Sequence, residues 1–205
     1  MDMRWLVLLL ALAAPAAADP GAEVAPIEAI VVHVQTDIAD RRFLPFLIER
    51  LRRDLAPRLF VLDSELDMAT APRRGGKLDA EALVAGIAGS LDPVKERRAI
   101  TVVLVAQDMR GPVTRFNFAY SLGGADQDRR VVVVSLARLG APVPDLVAAR
   151  VARMVVKNVA RTAGYTGSEA CVLGFARSLE DLDATPETFC EPDRNRLVRA
   201  GLVRP

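Results

Sequence analysis

Histidine is almost absent from this sequence: His33 is the single one in 205 residues. That scarcity excludes every catalytic zinc site built on two or three imidazoles, and with them the H-E-x-x-H metallopeptidase motif. It also leaves serine nucleophiles without support. Ser135 ends an apolar stretch, but its one candidate base is His33, and no G-x-S-x-G elbow occurs. Phosphate-cradling glycine loops of the G-x-G-x-x-G and G-x-x-x-x-G-K-[ST] types are missing as well. The pairs Gly75-Gly76 and Gly123-Gly124 read as turns. Net charge is nearly absent, at +1, so the whole-molecule field offers no argument for nucleic acid or an anionic surface. Cysteine is scarce too, with Cys171 and Cys190 alone.

Hydrophobic residues, in contrast, make up 51% of the chain, a globular composition with ample material for one core. The first residues carry a processing pattern. Arg4 precedes an apolar run from Trp5 to Ala14, and Ala16-Ala17-Ala18 is an A-x-A site before Asp19. Residues 1–18 are therefore expected to be a signal peptide and 19–26 a loose leader, with the domain spanning 27–205. Export, most simply to a bacterial periplasm, leaves no membrane anchor after cleavage. The expected partner is then a periplasmic protein or peptide. In an oxidising compartment two lone cysteines most often pair with each other, free or metal-bound thiols being the alternative.

Along the chain, residues 27–35, 58–62, 98–106, 114–121 and 130–136 have the β-branched or alternating character of strands. The run 98–106 is the most continuously apolar and is expected at the centre of the sheet. Helices are expected over 40–55, capped by Asp40, and over 79–91, capped by Asp79. The arginines of the first helix, Arg41, Arg42, Arg50, Arg52 and Arg53, are expected on a solvated face. Residues 63–77 read as a flexible loop, and 164–205 as mostly irregular apart from a short helix near Asp193 to Ala200. Acidic residues in that tail, among them Asp183 and Glu187, read as solvated surface. The order of elements predicts an α/β fold: a single domain with a mixed, mostly parallel sheet packed with helices.

The longest helix is expected from about 143 to 163. Val147, Val151, Met154, Val155, Val159 and Thr162 share one broad side of it, while Arg150, Arg153, Lys157 and Arg161 form a narrow basic stripe opposite. Gly164 is placed to end it in the left-handed conformation. Such a stripe faces water or a cleft. In a cleft it would attract carboxylate or phosphate groups, and these four residues are the candidate binding set.

Taken together, these segments resemble archaemetzincins, zinc metallopeptidases with the metzincin fold. The resemblance runs through Asp79-Ala80-Glu81, Asn117-Phe118-Ala119-Tyr120, Val133-Val134-Ser135-Leu136-Ala137-Arg138-Leu139, the long helix ending at Gly164, and Phe189-Cys190-Glu191-Pro192-Asp193. With Gly164 as the frame, the resemblance puts Lys157 and Arg161 at the first two zinc-ligand histidines of H-E-x-x-H-x-x-G-x-x-H. Asn158 falls at the glutamate general base, and Gly167 at the third histidine. With a two-residue deletion, Cys171-Val172-Leu173 matches the family's C-x-M turn with Leu173 in place of the methionine, and Asp193 falls at one cysteine of a terminal pair. The resemblance thus implies the fold of a zinc peptidase and a motif emptied of its ligands. Two cations repel Zn²⁺, and an amide cannot take a proton from water. The expected reading is an exported pseudopeptidase without zinc, holding a protein, peptide or anionic ligand in its former cleft. The alternative is an active metallopeptidase with non-standard or partner-supplied ligands.

Overall fold

The computed structural model describes residues 26–64, 66–92, 98–112, 114, 117–123, 129–167 and 170–205. The expected signal peptide lies outside them, as do all leader residues but Pro26.

Strands β1 (Ala29–Gln35), β2 (Arg58–Ser64), β5 (Ala99–Val105), β7 (Ala119–Leu122) and β8 (Arg130–Ser135) form a five-stranded sheet in the order β2-β1-β5-β8-β7. All neighbours are parallel except β7, which runs antiparallel to β8 along one edge. β5 is central, and every residue of β5 and β8 is buried. The reason is cover on both faces. Val102, Leu104, Val132 and Val134 point into a core shared with helices α1 (Leu44–Asp54) and α3 (Pro144–Thr162). Val103, Val105, Val131 and Val133 point the other way, against Leu83, Val84 and Ile87 of α2 (Ala80–Ser90).

Several boundaries differ from the sequence reading, each for a local reason. Asp79 caps α2 through the Ala82 N–H, but Asp40 does not cap α1. Its carboxylate takes the backbone N–H and guanidinium of Arg42 instead, and α1 starts later, at Leu44, with Pro45 in its first turn. The stretch expected to be a flexible loop contains a hairpin. β3 (Arg73–Arg74) and β4 (Lys77–Asp79) pair antiparallel across Gly75-Gly76. Both glycines have positive φ, 60° and 79°, as a tight two-residue hairpin turn demands. β4 continues the pairing to β6 (Met109–Arg110), completing a second, three-stranded sheet.

The C-terminal segment is more regular than expected. It holds α4 (Leu179–Ala184), capped by Ser178 through the Asp181 N–H, and α5 (Glu191–Arg199). Each is anchored in the core by few residues, chiefly Leu182 and Leu197; α5 is the short helix expected near Asp193 to Ala200, and α4 is the addition. Cys171 and Cys190 form a disulfide across this segment, with 5.5 Å between their Cα atoms. No helix among the described residues is long and apolar enough to cross a membrane.

Candidate functional site

The long helix α3 ends as its glycine requires. Gly164 has φ 86°, its N–H donates to the Arg161 carbonyl, and the Tyr165 N–H reaches back to the Ala160 carbonyl. This pair of bonds is a Schellman stop, so the helix ends at Gly164 as expected.

The basic stripe does not act as one surface. Its upper half is covered by the C-terminal segment. Arg150 is buried, and its guanidinium grips Asp183 at 2.8 and 2.6 Å while also donating to the Leu139 and Gly140 carbonyls. The hydrogen bond to Arg150 holds the Asp183 carboxyl below its ordinary range, and the same bond raises Arg150 further. Arg153 lies 3.5 Å from Glu187, which also faces Arg50 and Arg53 at 3.6 Å. Arg50 in turn makes a two-pronged bond to Asp145. Three expectations are corrected here. Arg150 and Arg153 do not border the cleft described next, Asp183 and Glu187 are not simply solvated, and Arg50 is not on an open face. For Arg150 and Arg153 the reason is that α4 and its flanking turns fold back over α3, bringing carboxylates onto the arginines; for Arg50 it is the packing of α1 against the start of α3, which brings Asp145 to it.

The lower half of the stripe borders a cleft of about 270 Å³, lined on one side by Phe118 and Ala119 and on the other by Phe175, Ala176 and Arg177. Met154, Lys157, Asn158 and Arg161 contribute from α3, and Thr114 and Asn117 complete the lining. Among the described residues, that lining holds no carboxylate and three cations. Lys157 donates to the Gly174 carbonyl, and its ammonium stands 5.3 Å from the Phe175 ring centroid. Arg161 donates to the Leu173 carbonyl at 3.1 Å. Asn158 donates to the Met154 carbonyl one turn back, at 2.8 Å, and accepts from Ser121 on β7 at 3.2 Å. It therefore ties the helix to the edge strand. Gly167 sits where a side chain has no room: a Cβ there would lie 2.4 Å from Asp193 Oδ2 and 2.5 Å from Leu173 Cδ1. Leu173 itself is buried in the main core.

These residues do not fit a zinc ion. Lys157, Arg161 and Gly167 offer an ammonium, a guanidinium and no side chain, none of them a metal donor, and both cysteines are committed to the disulfide. His33 is on β1, separated from the edge strand β7 by β5 and β8. No cluster of three or more histidine, cysteine or acidic residues able to hold a metal occurs among the described residues. Ser135 is likewise no nucleophile in waiting: its hydroxyl donates to the Gln107 carbonyl at 2.6 Å. Ser121, Phe175 and Arg177 were not singled out from the sequence. Nothing in the chain's pattern marks them: Ser121 acts from the edge strand through Asn158, and Phe175 and Arg177 reach the cleft from the turn after Cys171.

The same architecture occurs in known structures. The archaemetzincin of Methanopyrus kandleri matches with a TM-score of 0.67 and 21% identity, over 90% of this chain and 98% of that one. The chain has the archaemetzincin fold. The archaemetzincin of Archaeoglobus fulgidus, solved in complex with malonate, matches with a TM-score of 0.65 and 21% identity, over 82% of this chain and 99% of its own. A zinc-dependent peptidase of Methanocorpusculum labreanum matches at 0.61 and 15% over the same shares. No family model and no curated protein sequence matches the chain. The likeness to the archaemetzincin fold therefore lies in the backbone.

Proposed function

We propose that this protein is an exported, catalytically inactive relative of the archaemetzincins that binds an anionic ligand, most simply an acidic peptide or protein segment, in the former active-site cleft. One observation carries the reading. Lys157 and Arg161 stand one helical turn apart at the cleft, where the resemblance places zinc ligands, in a lining whose described residues include three cations and no carboxylate. Positive charge held against apolar walls favours a carboxylate or phosphate over a metal ion. Asn158 lacks the basicity to activate water, so neither the metal nor the base of a peptidase is supplied. The disulfide fits an oxidising compartment.

Two measurements test this. Binding of acidic peptides is expected to fall at least about tenfold in the double variant Lys157→Ala, Arg161→Ala, the loss of about 1.4 kcal/mol or more that removed charge-assisted hydrogen bonds entail. Unchanged binding would remove the cleft from consideration. Metal analysis of the mature oxidised protein is expected to find no stoichiometric zinc. Zinc that leaves on chelation, together with a measurable peptidase activity, would instead establish an active enzyme with unusual ligands.

A further inference from the structure

The edge of the sheet farthest from the cleft is β2, and it is built unlike a protected edge. It is seven residues long and contains neither proline nor lysine, the usual means of blocking strand addition. Phe60 and Leu62 remain 45% and 48% exposed. They share a sheet face with Val31 and His33 of β1, their register partners, while α2 lies over β7 and β8 at the other side of that face. Arg58 rests against the Phe60 ring at 5.9 Å.

The ladder shows which backbone groups of β2 point outward. The Arg58 N–H donates to Glu28 and the Ser64 carbonyl accepts from Thr36, so the even-numbered residues spend their groups on β1. Leu59, Val61 and Asp63 then direct their N–H and C=O groups away from the sheet. Among the described residues, no strand is paired with that side.

We infer that β2 is a self-pairing edge, through which two copies of this chain join antiparallel about a two-fold axis at Val61. Three features select a second copy as the occupant. An axis at Val61 is the register that pairs all seven residues, and it makes Val61 a hydrogen-bonded pair with itself and Leu59 one with Asp63, using the outward groups just identified. In the same register each Phe60 lies opposite the Leu62 of the other copy, in the closer, non-hydrogen-bonded positions, where aromatic–aliphatic pairs are favourable. The strand begins with Arg58 and ends near Asp63, and antiparallel pairing sets Arg58 opposite Ser64 and sets Asp63, already held by Arg41, opposite Leu59, so no like charges oppose each other. Such an isologous contact closes after two subunits and joins two sheets into one, leaving both clefts at its outer ends.

The test uses the full chain. Multi-angle light scattering across a concentration series is expected to show twice the monomer mass, dissociating on dilution, and Leu62→Lys is expected to be monomeric with an unchanged circular dichroism spectrum. The engineered Val61→Cys is expected to form an intermolecular disulfide on oxidation, since Cα atoms in such a pair stand about 5.5 Å apart. Arg58→Cys, far from its own copy across the axis, is expected not to. A wild-type chain that is monomeric at every concentration, with Val61→Cys uncrosslinked, would overturn the inference and mean that the edge is covered from within the chain or bare. A dimer that survives Leu62→Lys without Val61 crosslinking would overturn it in favour of another interface. Neither result depends on what the cleft binds.

Discussion

Four residues on one helical stripe, similar in the sequence, have different fates, and the difference follows from what folds over them. Arg150 is buried with Asp183 and two carbonyls, whereas Arg161 stays exposed beside the cleft. Replacing Arg150 by Met strands those acceptors, and because Asp183 keeps some contact with water the cost is expected at about 1–3 kcal/mol, read as a lowered denaturation midpoint. Gly167 makes a different point. It stands where the resemblance places a third histidine, yet Asp193 and Leu173 fill the space a Cβ would need. Gly167→Ala is expected to destabilise by about 1–3 kcal/mol through overpacking. For the same reason, introducing histidines by Lys157→His, Arg161→His and Gly167→His together is expected not to yield stoichiometric zinc unless Asp193 is also made smaller. Zinc binding by the triple variant alone, measured by metal analysis, would contradict this.

At the scale of elements, the cleft's outer wall is the turn after Cys171. It presents the Leu173 and Gly174 carbonyls to Arg161 and Lys157 and contributes Phe175 and Arg177 to the lining. The disulfide holds that turn to the start of α5. Closing a separation of 19 residues stabilises by about 3 kcal/mol in the chain-entropy model. The variant Cys171→Ser, Cys190→Ser is expected to lose stability of that order in denaturant titrations and to bind acidic peptides more weakly, because the wall is no longer held. The hairpin β3–β4 and the helix α4 escaped the sequence reading at this scale, whereas α5 was expected near Asp193 to Ala200. Two- and three-residue strands carry no alternation to detect, and a helix as short as α4, anchored by few residues, shows no period. The Gly75-Gly76 turn, by contrast, was legible, since positive φ at adjacent positions calls for glycine.

Across the whole molecule, ion pairs join segments distant in the chain. Arg150 fastens α3 to Asp183 of α4, and Arg138 and Lys77 converge on Asp108. Hydrogen bonds to arginine hold both aspartates below the ordinary carboxyl value of 3.8. A carboxyl whose folded value is depressed contributes stability above its unfolded value and loses that contribution as pH falls through the folded one. Unfolding free energy is therefore expected to be steady near neutrality and to drop below about pH 4. In Arg150→Met that acid-dependent drop is expected to be smaller, measurable by chemical denaturation at a series of pH values.

The α/β class, the central place of β5, the edge position of β7, the helix stop at Gly164 and the pairing of the two cysteines were all legible in the sequence. Each depends on local signals: continuous apolar runs, alternation, a glycine where φ must be positive, and two thiols with no other partner of their kind. The scarcity of histidine was legible too, and the one histidine lies on β1, away from α3. What the tertiary structure decided is which half of the basic stripe meets the cleft, which acids neutralise the other half, and which edge of the sheet is left open. Those outcomes depend on how residues 170–205 fold back over α3 and on the lateral order of the strands. Such contacts join positions dozens of residues apart and leave no periodic trace in the chain.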